Sequence, residues 1–186
     1  MDNHVSAGSG TTTVVGRLTL GVTLLAFGLG TTGVIDGVGA TDAVSLAHYV
    51  GGVALFLVGL LAFRDRDTAS GTGFVALGAL WFTWAVAGRM PANAAGLFLL
   101  LFALVALSLT LAGGDVLGQL MHGLLFLAML VLAVAQFADS SSLTKVGGWV
   151  AAVSGAVAWY AATASLAHWP TALPRRAAGR GVTAAG

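Results

Sequence analysis

AAGLFLLLFALVALSLTLA, residues Ala94–Ala112, decides the fold. The stretch holds no charged residue and no proline, and about 20 apolar residues in a helix cross the ~30 Å hydrocarbon core of a bilayer. Gly113-Gly114-Asp115 ends it, and Val116–Ala138 at once repeats the pattern. Four more such stretches lie on either side: Val14–Val34, Ala43–Phe63, Gly73–Met90 and Val146–Ala167. Breakers or charges separate them, at Asp36–Asp42, Arg64–Thr72, Arg89–Asn93 with Pro91, and Asp139–Lys145 with its serine run. Unpaired backbone amides are too costly in lipid, and these runs are too long and evenly apolar for barrel strands. The predicted fold is therefore all-α, a bundle of six transmembrane helices over residues 14–167, with consecutive helices antiparallel. The tails are 1–13 and 168–186; small polar residues predict disorder in the first and, in the C-terminal cytoplasmic tail, after Pro174.

Composition points the same way. Of 186 residues 58% are hydrophobic and 8% charged, whereas a soluble domain carries about 25% charged residues to solvate its surface. Lipid must wet most of this exterior. A net charge of +1 argues for no nucleic-acid partner, and with no cysteine there are no disulfides or thiolate metal sites. Glutamate, the most common tuned acid or base, is absent. No cofactor is expected. Arg17, Arg64, Arg66, Arg175, Arg176 and Arg180 fall on one side of the predicted topology, with Arg89 and Lys145 on the other. The positive-inside rule then predicts both termini in the cytoplasm of a cell that carries the protein in its inner membrane. Val38-Gly39-Ala40 loosely resembles a signal-peptidase site. Cleavage there would leave five spans, so the first span is expected to be retained.

Glycines recur at heptad spacing: Gly21 and Gly28, Gly52 and Gly59, Gly71 and Gly78, Gly148 and Gly155. A step of seven returns to nearly the same helix face, so each pair is expected to mark a seam of close backbone approach. Trp84, Trp149 and Trp169 fall where interfacial rings belong.

Chemistry-bearing motifs are weak. Gly28-Leu29-Gly30-Thr31-Thr32-Gly33 fits a dinucleotide fingerprint in letters alone, because it closes a membrane helix instead of following a strand. Val153-Ser154-Gly155 lacks the first glycine of a nucleophile elbow. His48 and His122 are the ionisable groups at membrane depth, which makes each a functional candidate. Two histidines without carboxylates are a poor metal site. Against these stand bland readings: His48 beside Tyr49 as an interfacial group, His122 near Gln119 as a structural hydrogen bond. Thr23, Thr83, Thr110, Ser108 and Gln136 add modest polarity, and hydroxyls in membrane helices mostly bond their own backbone. No nucleophile–base pair or metal set argues for an enzyme. A pore or carrier for something small and weakly polar remains, or a subunit that transports nothing.

From Gly51 through Phe63, Gly-Gly-Val-Ala-Leu-Phe-Leu-Val-Gly-Leu-Leu-Ala-Phe, then Thr68, Gly71-Thr72, Phe74, Gly78, Trp81, Thr83 and Met90-Pro91, the chain resembles the bacterial acetate/succinate permease family. The likeness returns at Gly148-Trp149-Val150 through Gly155, Ala158 and Tyr160, with an aligned start at Gly16, Gly21 and Thr23. The resemblance implies a homo-oligomer, a hexamer in that family, that moves acetate and related short carboxylates, in many cases with a proton. It also implies a path within each protomer, closed by an apolar constriction from helices one, three and five: Leu20, Leu77 and Leu124. Leu20 stands for an aromatic residue there and Leu77 for a tyrosine. The family's Asn-Pro-Ala-Pro-Leu-Gly signature reads Thr11-Thr12-Thr13-Val14-Val15-Gly16, while Leu55 and Ala62 replace a glutamine and a glutamate. Few polar groups are left to hold a carboxylate: Thr23, Thr72 and Thr83, with His122 as a protonation-sensitive neighbour. The expected function is a permease or channel for small monocarboxylates, succinate among the candidates, proton-linked or passing the protonated acid. The rivals are a pore for urea, an amide or ammonia, and a non-transporting membrane subunit.

Overall fold

The computed structural model describes residues 10–87 and 90–169. Six helices in it are long and apolar enough to cross a membrane. They are α1 (Thr11–Thr32), α2 (Ala40–Leu46, running on through Ala47–Ala54 and Leu55–Arg64), α3 (Thr68–Val86), α4 (Ala92–Leu111), α5 (Val116–Phe137) and α6 (Ser141–Leu166). Arg89, Arg175, Arg176 and Arg180, used above for orientation, lie outside the described residues, as do residues 1–9 and 170–186 of the tails.

Capping side chains set helix starts: α3 and α6 begin further out than hydropathy alone suggests, at Thr68 and Ser141, and α5 begins at Val116 as expected. Asp67, Asp115 and Ser140 accept from the backbone N–H groups of Ser70, Gly118 and Leu143 and so satisfy first-turn donors. Thr11–Thr13, expected in the N-terminal tail, instead form the first turn of α1. Thr12 donates to Asp65 and Thr13 to Asp67, which ties this turn to the α2–α3 connection. Gly33, the last glycine of the fingerprint-like run, ends α1 in the left-handed conformation at φ 67°.

The helices form a ring in the order α4, α5, α6, α1, α2, α3, and α3 scarcely approaches α4. Side chains fill that last gap: Trp84 lies 5.9 Å from Phe98, which lies 4.9 Å from Phe102. Two seams hold the ring tightest. A Cβ built on Gly28 would lie 2.6 Å from the Ala152 amide nitrogen and the Gly148 carbonyl oxygen, and one on Gly155 would lie 2.8 Å from the Gly21 carbonyl oxygen. Gly21, Gly28, Gly148 and Gly155 thus bring the α1 and α6 backbones into direct contact. Across α2 and α3, Gly59 faces Val75 and Gly71, Gly78 faces Phe56, and Gly52 faces Phe82. Backbone contact of this kind replaces the hydrophobic drive that lipid removes between helices.

The second helix departs from α geometry. Ala47–Ala54, AHYVGGVA, is π-helical, a widened turn that is rare and tends to appear at functional sites. It brings Gly51 against Thr23 and Trp81, where a Cβ would lie 2.5 Å from Thr23 Cγ2 and 2.9 Å from Trp81 Cγ. No side chain fits there without moving Trp81.

Candidate functional site

Inside the ring, one-turn steps along three helices line an axial column. On α1 the steps are Leu20, Leu24, Phe27 and Thr31; on α3 they are Leu77, Trp81 and Trp84; on α5 they are Met121, Leu125, Met129 and Leu132. Leu20 and Leu77 are fully buried in one contiguous core cluster that also holds Met121 and Leu125. Leu124 is half-buried and stands outside that cluster. On α5, Leu125 is the buried neighbour at this level.

Above this layer is a cavity of about 10 Å³ lined by Leu24, Phe27, Trp81, Leu125, Met129 and Ala151, among others. That is about the room one water needs. Phe27 meets Trp81 edge to face at 5.0 Å. The column is closed, and apolar side chains wall it, the Trp81 and Trp84 indoles among them.

Polar groups gather at the two ends. At one end, Thr31, Gln136, Asp139, Ser140, Thr144 and Lys145 line an open crevice of about 340 Å³, large enough for a small solute. It is separate from the cavity and lies beyond it along the helices: Thr31 follows Phe27 by one turn, and Gln136 follows Leu132 by one turn. At the opposite end, Arg17 pairs with Asp115, the α5 cap. Half-buried His122 feels the charges of this pair and has a backbone hydrogen bond to Gly118.

The hydroxyl candidates separate. Thr23 is fully buried against Gly51 and donates to the Thr19 carbonyl at 2.8 Å. Thr72 and Thr83 are exposed on the outside of the single chain, away from the column. His48 is half-buried and packs its ring on Tyr49 and Phe82 at 4.8 and 5.1 Å. Ser154 donates to the Met121 carbonyl and joins α6 to α5. Among the described residues no group of three or more His, Cys, Asp or Glu could hold a metal.

Partial burial acts to raise the pKa of Asp115, but the hydrogen bond and charge of Arg17 and the Gly118 amide outweigh it and hold the carboxyl below its ordinary value. Asp67 is lowered in the same way, burial being outweighed by Ser70, Thr13 and Arg17. A depressed folded pKa means that Asp115 stabilises the fold above its unfolded value of about 3.9, and that this contribution fades as pH falls through the folded value. The Asp115 side chain is 51% exposed, so the contribution is at most about 1 kcal/mol. Thermal melts in detergent should show a small stability loss below about pH 4 in the wild type. D115N should lower stability at pH 7 and shrink this acid limb to the part that Asp67 contributes; an unchanged acid limb would remove the Arg17–Asp115 pair as one of its sources.

In the sequence Arg17 and Lys145 mark topology, Trp81 a family match and Gln136 minor polarity. Trp81 lines the cavity and Gln136 the crevice because of helix rotation, which an evenly apolar sequence does not encode.

The GPR1/FUN34/yaaH family model matches residues 5–172. The succinate-acetate/proton symporter SatP of Escherichia coli K12 is 30% identical over 137 residues, 66% of this chain and 72% of that protein. Accumulation of dyads protein 2 of Saccharomyces cerevisiae is 29% identical over 140 residues, and the match spans half of the yeast protein's length. The solved structure of the bacterial acetate channel SatP shares the fold, with a TM-score of 0.76 at 22% identity, covering 86% of this chain and 93% of that one.

Proposed function

Because the chain belongs to the GPR1/FUN34/yaaH family, we propose that it is a membrane permease or channel for small monocarboxylates of the acetate type, passing them as the neutral acid or together with a proton. The observation that carries this reading is the closed apolar column with polar groups at both ends. Leu20, Leu77 and the adjoining face of α5 at Leu124 and Leu125 form the constriction; the Gln136–Lys145 crevice and the Arg17–Asp115 pair are its two mouths. Thr23, His122, Thr72 and Thr83 are candidate contacts, with Thr72 and Thr83 able to act only through a neighbouring copy.

The energetics select the protonation state. Stripping a carboxylate of water costs far more than burying a neutral polar group, unless charges or several donors replace the lost hydration. The column offers no charge. A carboxyl with an ordinary pKa near 4.3 is neutral in roughly one molecule in 500 at pH 7, and that fraction rises tenfold for each unit of acidification. Each mouth holds a cation and a carboxylate, Lys145 and Asp139 in one crevice and Arg17 and Asp115 at the other end, so the anion stays solvated there and only the neutral acid enters the column. Both termini are placed in the cytoplasm, the membrane is the bacterial inner membrane, and the assembly is a homo-hexamer; these parts of the proposal rest on the charge distribution and the family likeness.

Acetate uptake into proteoliposomes, corrected for protein-free vesicles, tests the reading. Protein-dependent uptake should rise about tenfold per unit between pH 8 and pH 6 at fixed total acetate. A rate that is flat over this range would rule out passage of the neutral acid. Urea uptake matching that of acetate would instead favour a pore for neutral solutes, the alternative to which a charge-free column also lends support.

A further inference from the structure

Buried polar side chains in this protein are otherwise paired. Thr13 donates to Asp67, Thr23 to Thr19, Thr32 to Leu29 and Ser154 to Met121. The exception among the described residues is Trp81, 3% exposed, whose indole Nε1–H has no partner. Native proteins leave few such donors unpaired, and each one calls for a reason. Phenylalanine would fill much of the same space without this penalty.

Position supplies the reason. Trp81 forms part of the wall of the central cavity, one turn beyond Leu77 on α3. Its ring is wedged between Phe27 and Gly51 of the π-helical turn, so it has little freedom to turn away. A resident water needs two to four polar partners, and the other cavity-lining side chains, Leu24, Leu125 and Met129 among them, carry carbon or sulfur; only Trp84 adds another indole. The resting cavity has room for about one water, so a small carboxylic acid enters only as the lining side chains part around it. In transit it offers an alkyl group to those side chains and a carbonyl oxygen that accepts from one donor.

We propose that Trp81 is the solute-recognition donor of the path: its Nε1–H binds the carbonyl oxygen of the neutral monocarboxylic acid as the acid passes the apolar column. The assignment rests on the permease reading above and adds to it the residue that distinguishes a carboxyl from an equally small hydrocarbon. A fixed donor with no partner in the protein gives up no protein hydrogen bond when solute arrives. Its contribution therefore goes to the solute in transit.

W81F, which keeps a ring and deletes the donor, tests this in three measurements on the full chain. Acetate uptake at pH 6 in proteoliposomes should fall about 3- to 10-fold, the range expected for one hydrogen bond. The melting temperature in detergent should hold or rise, because an unpaired donor has been removed. In protein labelled with ¹⁵N-indole, the resonance missing from W81F should shift on titration with acetate at pH 5 and not with chloride. Unchanged uptake in W81F, or a destabilised W81F with no acetate-dependent shift, overturns the proposal and assigns the donor a structural role. If the wild type shows no protein-dependent acetate uptake, the permease reading fails; an acetate-specific shift would still uphold the site, and its absence would dismiss that as well.

Discussion

Replacing Gly28 by valine should abolish the folded protein, seen as loss of the monodisperse species in detergent gel filtration and of its cooperative melt. The new Cβ would lie 2.6 Å from the Ala152 nitrogen and the Gly148 oxygen, both backbone atoms that cannot swing aside. Overpacking a core costs about 1–3 kcal/mol when side chains adjust. Here two helices must separate along the tightest seam of the ring, so the loss should exceed that range. G28A should show a partial version of the same defect. Gly73 supplies the control, since a Cβ there would lie 3.4 Å from Leu109 Cδ2, an ordinary contact. G73A should melt at or above the wild-type temperature, because alanine favours a helix over glycine by about 1 kcal/mol. Equal behaviour of G28A and G73A would show that the α1–α6 seam is not what holds the bundle.

Truncating Leu77 to alanine should be the second large effect, and it has two parts. Leu77 is fully buried, and such truncations cost about 2–5 kcal/mol where the surroundings cannot collapse. The same vacancy would widen the column beside Leu20, just below the cavity. Proteoliposomes carrying L77A should therefore take up acetate faster than wild type and admit larger monocarboxylates such as butyrate. L124A, at a half-buried position outside the core cluster, should change uptake less than L125A. If L77A lowers the melting temperature but leaves rate and solute range unchanged, Leu77 is packing alone and the constriction lies elsewhere.

The family likeness and the site were legible in the sequence to different depths. Order and spacing of the Gly51–Phe63 stretch and of Gly71, Gly78, Trp81 and Pro91 carried the first, and the family match over residues 5–172 agrees with it. The site was only partly visible. Thr23, Leu20 and Leu77 are buried within the bundle, whereas Thr72 and Thr83 are exposed and Leu124 is half-buried beside the buried Leu125 on α5. A soluble helix reveals its inner face by alternating polar and apolar residues. A membrane helix is apolar on the lipid side as well, so that alternation is missing.

The physics of the bilayer thus divides what each level decides about this protein. The sequence by itself determined the number, length and helical nature of the spans, because a hydrocarbon core demands about 20 apolar residues and internal backbone pairing from each segment independently. Heptad glycines went one step further and marked which faces could approach closely. Tertiary structure alone decided the ring order, the pairing of Gly28 with Gly148 and of Gly21 with Gly155, the π-helical turn against Thr23, and the unpaired indole of Trp81 beside a closed cavity. These depend on the rotation of each helix about its own axis. That rotation is set by contacts with neighbouring backbones, which no single segment contains.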